Sequence, residues 1–98
     1  MRIVLTPQAV SDIEGAFNYF TGLDQELSAR FVDDVDPAIT RIVMFPRGSP
    51  PVDGFNELRR ARMRQFPCGL LYEQTQAGNL LVVRVLHSRR HHPESLEG

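Results

Sequence analysis

Eight residues near the end of the chain, Leu-His-Ser-Arg-Arg-His-His-Pro at 86–93, bring three histidines and two arginines together. An imidazole beside two guanidiniums can serve as general acid and charge stabiliser in RNA cleavage. The same groups can instead grip a phosphate or carboxylate without reaction, or simply solvate a strand end. His91 and His92 are adjacent, and adjacent side chains on an extended chain point to opposite sides, so they chelate one ion poorly. No His-x-x-x-His spacing and no cysteine partner completes a metal site, so neither a metal nor another cofactor is expected.

A second group lies upstream, where Arg60, Arg62 and Arg64 alternate with Ala61 and Met63. On a strand the three guanidiniums would share one face, about 6.5–7 Å apart. That spacing suits the phosphates of a single nucleic-acid strand, an acidic protein surface, or plain contact with water. Arg84 interrupts the most apolar run, LLVVRVLH, and a guanidinium placed there needs partners. We expect it to face the same side as the arginine stripe rather than to pair with an acid such as Asp53 or Glu57. Tyr72 reads as a sheet residue with a wet tip, the lone Cys68 as a buried thiol, and Asp33, Asp34 and Asp36 as a helix surface. No nucleophile triad, phosphate-cradling glycine loop or carboxylate pair is present.

The elements that must carry these residues follow from the apolar spacing. Residues 2–5 (RIVL) read as a short strand, and Thr6-Pro7 as a helix start, with Thr able to cap and Pro suited to the first helical position. Ala9, Val10, Ile13, Ala16, Phe17 and Phe20 then step by three and four along one helix face, with Gly22 as a stop. Asp24 is a candidate cap for a second helix whose apolar face is Leu27, Phe31, Val35, Ala38, Ile39 and Ile42. Pro37 predicts a kink near residues 33–37. Residues 46–57, rich in Pro and Gly, read as a loop. Beyond it the period is two: strands are expected at 58–66, ended by Pro67, at 68–74 and at 80–87, with turn chemistry at Ala77-Gly78-Asn79. The order strand, two helices, three strands is an α+β domain, β-α-α-β-β-β, with a helical hairpin on one face of a sheet built from the N-terminal strand and an antiparallel meander.

Composition agrees with one small domain over 1–98. The chain has 98 residues, 42% hydrophobic and 23% charged, and no apolar stretch of membrane-spanning length. Without a signal-peptide pattern or a cysteine framework, a cytoplasmic location is expected. The net charge of −1 hides an asymmetry. Residues 1–57 hold four arginines against nine acids, a net of −5, whereas residues 58–98 hold seven arginines against three acids, a net of +4. Lysine is absent, which GC-rich coding would explain, but coding does not explain why the arginines crowd into the second half.

In this order the segments LTPQAVSDIEGAFNYF, ARFVDDVDPAITRIVMFPRGSPP, ELRRARMRQFPCGLLYE and LLVVRVLHSRRHHP resemble the RelE/ParE superfamily of bacterial toxins, the plasmid-stabilisation family. The arginine strand, the Phe-Pro-x-x-x-x-Tyr strand and the His-x-Arg-Arg strand end are similar to ParE-like members. The resemblance implies a toxin of a type II toxin–antitoxin system, covered by a cognate antitoxin in a hetero-oligomer. In the ParE-like branch it implies growth arrest by binding a protein target, DNA gyrase, without chemistry. In the RelE-like branch it implies a ribosome-dependent mRNA endonuclease, for which His87, Arg89 and Arg90 would be the catalytic candidates. Nuclease members carry an arginine where this chain has Cys68-Gly69, and often a C-terminal tyrosine that HHPESLEG lacks. Both departures favour the binding reading over an enzyme, with Arg60, Arg62, Arg64, Arg84, His87, Arg89 and Arg90 as target-binding residues. A member without toxicity, acting only as a binding module, is the third alternative.

Overall fold

The computed structural model describes residues 2–87. Its elements run β1 (Ile3–Leu5), α1 (Pro7–Leu23), α2 (Gln25–Met44), β2 (Pro51–Val52), β3 (Phe55–Arg62), β4 (Cys68–Gln74) and β5 (Leu80–His87). The strands form one sheet in the order β1-β5-β4-β3-β2, with β1 parallel to β5 and the other pairs antiparallel. The helices pack on one side of it, α1 chiefly against β5. The fold is therefore the expected α+β arrangement of strand, helical hairpin and meander, with one further short strand.

Thr6 both starts α1 and docks it. Its hydroxyl oxygen accepts from the Ala9 N–H at 3.1 Å and donates to the Val83 carbonyl at 2.9 Å, while its backbone N–H donates to Val82 at 3.0 Å. Pro7, which has no N–H to satisfy, takes the first helical turn. Asp24 closes one helix and opens the next: its N–H donates to the Phe20 carbonyl at 2.8 Å, and its carboxylate accepts from the Glu26 N–H at 2.9 Å. α2 runs as one element through Pro37, whose ring lies on the exposed side. Phe31, Val35, Ala38 and Ile42 of α2 are buried, as their spacing requires.

The apolar face of α1 is narrower than its sequence stripe. Ala9 and Phe20 are buried, but Val10 and Phe17 are 44% and 38% exposed. They lie beyond the arc that the sheet and α2 can cover. Phe20, Phe31 and Phe66 meet at ring-centroid separations of 4.8–5.6 Å, joining both helices to the β3–β4 bend. Leu70, Tyr72, Leu80 and Val82 complete the core from the sheet.

Two strand boundaries differ from the sequence expectation. Pro51–Val52, expected as loop, pairs antiparallel with β3 as the edge strand, a position that tolerates Pro because one side needs no donor. β3 begins at Phe55 and ends at Arg62, not Phe66. Met63 and Phe66 are both buried although three residues apart, which strict alternation forbids. The chain bends instead: the Met63 N–H donates to the Cys68 carbonyl at 2.9 Å, and the Gln65 N–H to the Asp34 carboxylate at 2.9 Å. Asp34 is thus a buried acceptor that shapes the bend, not part of a helix surface.

Candidate functional site

β3 and β4 place Arg60 opposite Leu71 and Arg62 opposite Gly69; β4 and β5 place Leu71 opposite Arg84 and Gly69 opposite Leu86. Ala61, Leu70, Tyr72 and Val85 belong to the core, so the alternation sends Arg60, Arg62 and Leu71 to the other side, away from the helices. Neither Arg60 nor Arg62 forms an ion pair with a described residue. The end of β3 is held by Arg41 of α2, which donates from Nη2 to the Arg62 carbonyl at 2.8 Å. The outer sheet face therefore presents two guanidiniums on a strand fixed at its end.

The other expected members of the stripe are elsewhere. Arg64 is exposed on the bend at residues 63–67, not on the strand, because β3 has already ended. Arg84 pairs with neither Asp53 nor Glu57, and it is not free on the stripe side. Its Nε and Nη2 donate to the Asp12 carboxylate of α1 at 2.7 and 3.1 Å. Asp12 also accepts from the Val85 N–H at 3.0 Å. The reason is topological. β1 accompanies β5 only from Leu80 to Val82, so beyond that point the strand edge has donors to satisfy, and α1 supplies Asp12. These hydrogen bonds push the Arg84 guanidinium above its usual range, with burial opposing them and the Asp12 charge adding to them.

His87 sits opposite Cys68, one position out of phase with Arg62 and Gly69, and therefore on the helix side of the sheet. There it lines a cavity of about 170 Å³ with Ser11, Asp12, Tyr19 and Cys68. The structure does not bring His87 together with Arg60 and Arg62; the sheet separates them. Arg89 and Arg90, like His91 and His92, lie outside the described residues. Among the described residues no cluster of His, Cys, Asp and Glu is arranged to hold a metal ion.

Tyr72 has no wet tip: it is buried, and its hydroxyl donates to the Pro46 carbonyl at 2.7 Å. Arg59, on the same side, donates to the Ser49 carbonyl at 2.7 Å, so both side chains fasten the 46–50 loop to the sheet. Cys68 is the expected buried thiol, pushed up to about 11 by burial first and the Asp34 charge second. Three residues of the site escaped the sequence reading. Asp12 had a usable signal, since it lies three residues after Ala9 and four before Ala16 and so shares their sheet-facing side. Arg59 and the contact made by Gly69, described below, had none.

The pattern that describes the ParE toxin of the type II toxin–antitoxin system parDE matches residues 3–92. No curated relative matches the chain in sequence. Among solved structures, the chromosomal ParDE toxin–antitoxin system from P. aeruginosa is similar in fold, with a TM-score of 0.76 over 89% of this chain and 95% of that one, at 13% identity. A sequence match across nearly the whole length, on a fold of the same architecture, places this chain in the ParE toxin family of type II toxin–antitoxin systems.

Proposed function

We propose that this ParE-type toxin arrests growth by gripping a protein target through the outer face of its sheet, that DNA gyrase is that target, and that a cognate antitoxin neutralises it in the cytoplasm. The observation that carries this reading is the arrangement of its charges: Arg60 and Arg62 stand on the outer face without an acidic partner among the described residues, while His87 faces the opposite side. Arginine is well suited to that role, since its planar fork binds carboxylates bidentately and is weakly hydrated. A cleaving enzyme needs its acid–base group and its charge stabilisers around one reacting phosphate. Here the described imidazole is divided from Arg60 and Arg62 by the sheet, which argues against a ribosome-dependent nuclease built from these groups.

The antitoxin has its own seat in this reading. Val10 and Phe17 on α1, and Val32 and Val43 on α2, are exposed on the hairpin and suit the apolar side of an amphipathic segment. An acidic antitoxin would also complement the second half of the chain. The test is a side-by-side assay of the purified toxin against supercoiling by gyrase and against cleavage of ribosome-bound mRNA. Inhibited supercoiling with intact mRNA is the expected result. Cut mRNA, lost on His87→Ala, would move the protein to the nuclease branch.

A further inference from the structure

The three atoms nearest a Cβ placed on Gly69 all belong to Arg60: Nε at 2.7 Å, Cγ at 3.2 Å and Cδ at 3.5 Å. The Arg60 side chain thus lies flat across β4, in the space that any other residue at position 69 would fill. Its strand partner is Leu71, not Gly69, so it leans one register step along the sheet, toward the row of Arg62. Two like charges are drawn toward one place, with no acid among the described residues to balance them. Two guanidiniums that line one cleft repel each other unless an anion lies between them, so the cleft favours an anion.

The place they approach is concave. Arg60 and Arg62 line a cleft of about 250 Å³ whose other walls are Met63, Phe66, Pro67 and Cys68. One side is cationic; on the other, Met63, Phe66 and Cys68 are buried and Pro67 is the exposed apolar residue. Single-stranded nucleic acid needs stacking platforms, and the aromatic rings nearest the cleft offer none: Phe66 is buried against Phe20 and Phe31, and Tyr72 faces the core. A carboxylate beside an apolar group satisfies both walls.

We propose that this cleft takes a carboxylate with an adjacent apolar side chain from a partner protein, and that Gly69 is the positioning residue that lays Arg60 into it. The inference rests on the sheet face being the target-binding face and names the chemistry that face recognises. It also gives a physical reason why an arginine at position 69 is incompatible with this arrangement: Arg60 already occupies that space.

The test uses the full chain with N-acetyl-leucinate as probe, inorganic phosphate and a short oligonucleotide as competitors, and N-acetyl-leucinamide as the uncharged control. The readout is the set of arginine Nε–H signals by NMR. The carboxylate should shift the Arg60 and Arg62 signals saturably, and the amide should not. Gly69→Ala should weaken that binding about tenfold, the scale of one charge-assisted hydrogen bond. It should leave the thermal midpoint unchanged or higher, since a flexible side chain is all that must move. Arg60→Ala should weaken binding similarly, and the double variant Gly69→Ala/Arg60→Ala no further, which a merely structural role for Gly69 would not produce. Tighter binding of phosphate or oligonucleotide than of the carboxylate, or an unmoved Arg60 signal in Gly69→Ala, would overturn the proposal. If the probe binds as described but Arg60→Ala retains full growth arrest, the cleft stands as a carboxylate site and the assignment of this face to the target falls.

Discussion

Asp12 is a single carboxylate serving three donors: two from the Arg84 guanidinium and one from the Val85 backbone. Removing it leaves a strand edge and a guanidinium without their acceptor, and Asp12→Ala should destabilise the fold by about 1–3 kcal/mol in chemical denaturation. Arg84 keeps 35% of its side-chain surface accessible, so water recovers part of that loss and the low end of the range is expected. Cys68 supplies a second prediction at this scale. Its thiol is raised from 9.0 to about 11 in the fold, so above pH 9 the unfolded chain ionises first and the folded chain still holds its proton. Its contribution to stability is therefore complete below pH 9 and is lost as pH rises toward 11. The pH-dependence of unfolding should be steeper in the wild type than in Cys68→Ala across that window. Equal slopes would show that the thiol does not titrate as described.

Among the elements, α1 depends on Thr6 for both its start and its seat on β5, so Thr6→Ala should cost about 1–2 kcal/mol. Loss of more than one hydrogen bond's worth of stability is the sign that cap and anchor act together. Both helices were legible in the sequence because Thr6-Pro7, Asp24 and the three-and-four spacing are local signals. β4 and β5 were legible through their apolar runs and the Gly78 turn, where φ is 85° and glycine is at ease. β2 was hidden because two residues carry no period, and one of them is Pro51. The end of β3 was hidden because Arg-x-Arg-x-Arg keeps alternating past the point where Met63 and Phe66 both turn inward. What stops the strand is Asp34, a residue on α2 whose role is set by tertiary contact. Pairings across the fold, such as Arg84 with Asp12, lie 72 positions apart and leave no trace in spacing alone. Strand alternation alone puts Arg84 with Arg60 and Arg62, and chain proximity puts His87 beside them; in the fold they are three separate arrangements, because Asp12 holds Arg84 and His87 faces the helix side.

For the whole molecule, the layers divide the charge. The helical hairpin, residues 7–44, holds seven acids against Arg30 and Arg41, while residues 51–87 hold five arginines against Asp53, Glu57 and Glu73. A body that is acidic on its helices and cationic on its sheet will orient toward an acidic partner sheet-first. Association with the target should therefore slow as ionic strength rises, because surface charges are screened over about 8 Å at physiological salt. An association rate indifferent to salt would remove charge as the guide. The most direct measurement of the central claim is supercoiling by purified gyrase, titrated with wild-type toxin and with Arg60→Ala/Arg62→Ala at matched thermal stability. The account predicts inhibition by the wild type and its loss in the double variant. Equal inhibition by both, or none by the wild type, would contradict it.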